Sequence, residues 1–231
     1  MIFKHPVLAF DTCGEVGTVA LVDLENDATT VTCVSQTELG GRAASAELMP
    51  AIDAMLRKAG LDLRALRTLL VVNGPGSFTG IRVGLSTAKG LAHAAGIPVV
   101  AISRLAVLAG LGDMEGDFLA LLDAGRNEFY ARRAEREWLA SFEEIAAVAG
   151  TGVSLVIAAA GAETKAETKV ADRLAAWKPA RVGPLDACAA VRAALARLRS
   201  GASDDLAALD ANYLRRSDAE LFARPVSAPA S

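Results

Sequence analysis

A chain of 231 residues with 52% apolar residues is long enough to bury one large core or two smaller ones. Its formal net charge of −3 provides no basic footprint for nucleic acid, so contact with RNA would need a local basic patch or a partner that supplies the charge. The three cysteines, Cys13, Cys33 and Cys188, are far apart and odd in number, which argues against a disulfide framework and fits a reducing cytoplasm, and no pair has zinc-ligand spacing.

No long apolar core precedes Asp11, so no signal peptide is expected. Val7–Phe10 and Thr18–Val22 flank the polar turn Asp11-Thr12-Cys13-Gly14 and predict a hairpin, with a third strand over 30–38. Residues 42–59 place Leu48, Ile52, Met55, Leu56 and Ala59 at helical spacing, and Gly60 stops the pattern. Strand 68–72 then leads into the glycine segment that starts at Gly74. A helix follows through about Ala95, ended by Gly96-Ile97-Pro98, and Val99–Ile102 is a further strand. The first half thus runs β-β-β-α-β-α-β.

The second half repeats the opening device. Phe118–Leu122 ends in Asp123-Ala124-Gly125-Arg126-Asn127, and Glu128–Arg133 returns as a strand. A strand over 153–158, a helix over 164–177, a short strand near Arg181-Val182 and a helix over 186–199 complete it. Uncharged Ile145–Ala162 is broken by Gly150-Thr151-Gly152, so it is not a membrane span. Two apolar strands that each end in Asp and a polar turn imply two related α/β units, 1–104 and 105–216, facing a central cleft. The residues after 216, with Pro225 and Pro229, suit a poorly ordered tail. Arg132, Arg133 and Arg136 alternate with Glu135 and Glu137, the pattern of a solvated face.

Asp11 and Asp123 form a carboxylate pair at strand ends, suited to a hydrated metal or nucleotide phosphates. They equally suit hairpin turns shaped by side-chain to backbone bonds. The glycine segment has two readings as well. Strand, glycine turn, helix is an anion-holding geometry, and Thr12, Gly74, Gly76 and Ser77 are its candidate contacts. Yet it lacks the Gly-Lys-Ser/Thr ending of a P-loop and the dinucleotide glycine spacing. In the packing reading, Gly84, Ala88, Ala92 and Ala95 give the helix a flat side, with Ile81, Leu85 and Leu91 supplying apolar area. Leu48, Met49, Ile52, Met55 and Leu56 make a second stripe, core or contact surface, whose two methionines suit an adaptable contact. His5 and His93 are the only histidines, so a zinc or iron site is not expected, and Ser77 and His93 are too widely separated for a triad.

The segment Gly74–Ala92, read with Leu8–Val22, Leu48-Met49-Pro50, Asp123-Ala124, Glu128-Phe129-Tyr130 and Tyr213-Leu214-Arg215, resembles the TsaB (YeaZ) family over nearly the whole chain. The resemblance implies two actin-like, ribonuclease-H-like subdomains. It also implies a non-catalytic subunit of the machinery that makes N6-threonylcarbamoyladenosine beside the tRNA anticodon. In that family the TsaD subunit carries the metal-binding histidines and transfers the threonylcarbamoyl group. The TsaB subunit pairs with it through its first two helices, and the ATPase TsaE docks on the pair. A homodimer when alone, contact with tRNA only through the complex, and no required cofactor beyond weak ATP or ADP–Mg binding are implied too. Ala44 stands where His is frequent, Gly125 where Arg is common, and Ala160-Gly161 is a poorer adenosine turn than the fold usually carries. The rival reading is a weak actin-like ATPase or small-molecule kinase using Asp11 and Asp123.

Overall fold

The computed structural model describes residues 3–25, 30–40, 44–112, 114, 116–158 and 172–215. Two five-stranded sheets organise it. The first holds β1 (Pro6–Asp11), β2 (Gly17–Leu24), β3 (Val31–Leu39), β4 (Thr68–Val72) and β5 (Val99–Ile102) in the order β3-β2-β1-β4-β5. The second holds β6 (Phe118–Gly125), β7 (Glu128–Arg133), β8 (Arg136–Ser141), β9 (Ser154–Ala158) and β10 (Ala180–Val182) in the order β10-β9-β6-β7-β8. Each sheet is the same object: a three-strand antiparallel meander whose first strand also pairs in parallel with the fourth. The repeated device in the sequence is therefore a repeated topology.

Position in the sheet explains composition. β1 is flanked on both sides and every one of its residues is buried, hence the unbroken run Val7-Leu8-Ala9-Phe10. β3 is an edge strand, exposed or half-buried along its length up to the buried Leu39. Among the described residues the α-helices are α1 (Ala44–Ala59), α2 (Phe78–Ala95), α3 (Arg104–Gly112), α4 (Phe142–Ala149), α5 (Ala187–Ala193) and α6 (Leu195–Ser200). Ser77 caps α2 by accepting from the Gly80 N–H, and Gly96 ends it at φ 70°. A capping box of Ser141 and Glu144 starts α4, which fills the space ahead of the Gly150 break.

The helix after each sheet crosses to the other half. α3 packs on β6, β7, β9 and β10, its Leu105 and Leu108 sharing a core with Ala120, Leu122 and Val156. α5 packs on β1 to β4, where Ala187, Cys188, Ala190 and Val191 join the core of the first sheet. The two helices meet where Gly110 faces Ala193, and a Cβ there would lie 3.2 Å from the alanine methyl. A lobe cut out at residue 104 would lose α5 from its sheet. The predicted helix 186–199 is divided into α5 and α6 at Ala194, and of the predicted helix 164–177 only 172–177 falls among the described residues. β8, α3 and the β7–β8 return went unread, because short half-buried elements carry little periodicity.

Two expectations are overturned here. Cys33 on β3 and Cys188 on α5 are joined by a disulfide with a Cα–Cα distance of 6.1 Å, closing a separation of 155 residues. Chain order hides this pairing, since α5 reaches β3 only through the helix exchange. Beside it, the Gln36 side chain donates to Asp186 and accepts the Cys188 N–H. Opening so long a loop is expected to cost about 2–5 kcal/mol, so reduction or Cys33→Ser should lower the unfolding midpoint by about 5–15 °C. Differential scanning calorimetry with and without a dithiol reductant measures it, and an unchanged midpoint would disprove it. Arg132, expected on a solvated face, has its guanidinium largely buried between Glu135 and Glu137. Arg133, by contrast, lies exposed on Asp117.

Candidate functional site

Asp11 ends β1, where the strand leaves the sheet for the hairpin turn. The residue is 3% exposed and its carboxylate is engaged at both oxygens: Oδ1 accepts the Cys13 N–H at 2.7 Å, and Oδ2 accepts Arg104 Nε at 3.1 Å. The turn reading of this residue is thus realised, with an ion pair added from the start of α3. Thr12 donates its hydroxyl to the Gly80 carbonyl at 2.6 Å. Cys13 donates its thiol to the Val72 carbonyl at 3.2 Å, and burial, with the Asp11 carboxylate next to it, pushes that thiol's pKa well up. It is held as a protonated, packed group rather than a nucleophile.

The glycine segment closes over this turn. The Ser77 N–H donates to the Cys13 carbonyl at 2.8 Å, and the Gly74 carbonyl accepts the Arg104 N–H. A side chain at Gly80 would collide with the Thr12 carbonyl oxygen, and one at Gly76 with the Cys13 carbonyl. Farther along α2, a Cβ on Gly84 would stand 2.5 Å from Thr12 Oγ1. The segment thus lets a helix start lie directly on a hairpin turn. Asp123 plays the matching part in the second sheet, where Oδ1 accepts the Gly125 N–H at 3.0 Å. Asp11, Thr12, Gly74, Gly76 and Ser77 come together around one turn, and Asp123 stands at the equivalent turn of the other lobe.

Most of the two stripes, read from the sequence as core or contact surface, lies in the core. Leu48, Ile52, Met55 and Leu56 of α1, and Ile81, Gly84, Leu85, Ala88 and Ala92 of α2, are buried in the chain's own core. Both helices turn their apolar faces to the first sheet. Met49, 47% exposed, is on the outward side of α1, and Leu91 is half-buried. Among the described residues no three of His, Cys, Asp and Glu converge as a metal site, and no helix is long and apolar enough to cross a membrane.

Sequence reasoning missed the pairing of Arg104 with Asp11 and the role of residues 209–215. Phe78 and Tyr213, both about two-fifths exposed, stack with ring centroids 4.8 Å apart, and the Arg82 guanidinium lies 3.9 Å from the Phe78 ring centre. The Tyr213-Leu214-Arg215 triplet was the only signal of this cluster.

Two α/β lobes of identical strand order, each opening with a hairpin that ends its central strand in Asp, define an actin-like, ribonuclease-H-like protein. A Pseudomonas aeruginosa structure described as YeaZ shares the fold with TM-score 0.66 at 23% identity, covering 91% of this chain and all of that one. The model of the TsaD family, tRNA N6-adenosine threonylcarbamoyltransferase, matches residues 34–183. The chain belongs to this family. A Haemophilus influenzae protein named tRNA threonylcarbamoyladenosine biosynthesis protein TsaB is 37% identical over 134 residues, 57% of this chain and 54% of that protein. The chain therefore spans about half the length of that relative. An uncharacterised Mycobacterium tuberculosis protein is 32% identical over 217 residues, 94% of this chain and 95% of its own length.

Proposed function

We propose that the chain is a non-catalytic partner subunit in the synthesis of N6-threonylcarbamoyladenosine on tRNA. It binds and activates a TsaD-type transferase, helps recruit a TsaE-type ATPase, and reaches tRNA only through that complex, in the cytoplasm. It pairs with the transferase through α1 and α2, and alone it forms a homodimer through the same two helices. The observation that carries this reading is the internal commitment of the first hairpin. Asp11 answers Arg104 and the Cys13 N–H, and the glycine loop is seated on the turn's own backbone. A carboxylate neutralised within the chain offers little to a hydrated metal or a phosphate. With only two histidines, His5 and His93, the chain also lacks the imidazole set a metal-dependent transferase would need.

On this reading the partner surface lies on the outward side of α1 and α2 and includes Met49, which is 47% exposed. Leu48 and Gly84 do not serve as probes, since both lie in the core and their replacement by polar or large residues unfolds the lobe. Met49→Arg is expected to leave the unfolding midpoint within about 2 °C and to weaken co-purification with the TsaD-type subunit by about tenfold or more. The same variant should depress tRNA modification in a reconstituted system with TsaD-type and TsaE-type subunits. Full modification in the absence of this chain would refute the reading. Micromolar Mg-ATP binding with phosphate release by the chain alone would favour the kinase-like alternative.

A further inference from the structure

The seven residues 209–215 touch both lobes in turn. Leu209 is buried in the core of the first sheet. The Asp210 carbonyl accepts the Asn73 side-chain amide at 3.2 Å, and the Asn212 N–H donates to the Asn73 carbonyl at 2.8 Å. The Tyr213 hydroxyl accepts Arg82 Nε at 3.1 Å while its ring stacks on Phe78. All of these partners belong to the first lobe. The second lobe is reached from the same stretch. The Asn212 side-chain amide donates to Glu137 at 2.6 Å, Leu214 packs in the cluster of Leu122 and Tyr130, and Arg215 pairs with Glu128 and faces the Gly125 carbonyl at 3.4 Å. Asn212 is the pivot, using its backbone on one lobe and its side chain on the other.

The ground it crosses is specific. On the first lobe it lies against the glycine loop, where a Cβ on Gly74 would come within 2.9 Å of the Asn212 carbonyl oxygen. On the second it ends at the β6–β7 turn that Asp123 shapes. A ligand bridging the two hairpin ends would have to displace this segment.

We propose that residues 209–215 form a strap that clasps the two lobes together and occupies, from within the chain, the ground between the glycine loop and the β6–β7 turn. Each end holds the other in place. Loss of the first-lobe anchor therefore frees the second-lobe anchor, and the β6–β7 turn loses its Arg215 cover although nothing in that lobe was altered.

Hydrogen exchange on the full chain reads this directly. Arg82→Ala, an exposed position on α2, is expected to raise exchange at the amides of 125–128 by about tenfold while leaving β1 and β4 unchanged. Arg215→Ala should reciprocally raise exchange at 73–77. Arg82→Ala combined with Arg215→Ala should exceed neither single variant at its own distant loop, because one open end already releases the strap. Changes confined in each variant to the lobe that carries the substitution would overturn the clasp. Should Arg82→Ala loosen the whole fold, the Arg215→Ala effect at 73–77 decides alone.

Discussion

Gly80→Ala is expected to lower the unfolding midpoint by about 6 °C or more, equivalent to about 3 kcal/mol or more at this chain length. The new methyl would meet the Thr12 carbonyl oxygen, a backbone atom held by the β1–β2 hairpin, so neither side yields easily. Gly90, ten residues along the same helix, has nothing within 4 Å of its would-be Cβ. There the same substitution is expected to stabilise by about 0.5–1 kcal/mol through helix propensity. Thermal denaturation of the two variants side by side checks both signs. Equal effects would mean that the glycine segment is not seated on the turn.

Arg104→Met is expected to cost about 3–5 kcal/mol, because it strands the Asp11 carboxylate in a site where that residue is 3% exposed. Asp11→Asn added to it should recover a large part of the loss, since the amide keeps an oxygen for the Cys13 N–H without a charge to neutralise. Urea denaturation of the single and double variants measures the coupling. If the double variant were no more stable than Arg104→Met, the ion pair would not be what stabilises the turn. The pair of measurements also separates the two meanings of Asp11. A carboxylate reserved for a ligand would be destabilising in the free protein, and its removal alone would then stabilise the chain.

Much of the fold was legible because it is local. The strand runs around Val7–Phe10 and Phe118–Leu122, the Gly96 stop and the Asp-ended hairpins each follow from residues within a few positions of one another. The identity of topology between the two sheets also follows from that order, once each hairpin strand takes its parallel neighbour. The site was legible only as a list. Asp11, Thr12, Gly74, Gly76 and Ser77 do gather at one turn, but as its internal fastenings. The stripes on α1 and α2 were correctly periodic and were read as core or contact surface, because periodicity says that a face is apolar and not what covers it.

What the sequence determined by itself was most of the strands and helices with their order, and the scarcity of imidazole ligands. What only the tertiary structure decided was whom each functional-looking group meets: Arg104 for Asp11 across 93 positions, Cys188 for Cys33 across 155, Tyr213 for Arg82 across 131. Those meetings depend on α3 and α5 exchanging sheets and on the strap returning over the glycine loop. Backbone propensity and hydrophobic period act over a few residues, whereas charge pairing and close packing act between surfaces that the chain brings together only when folded.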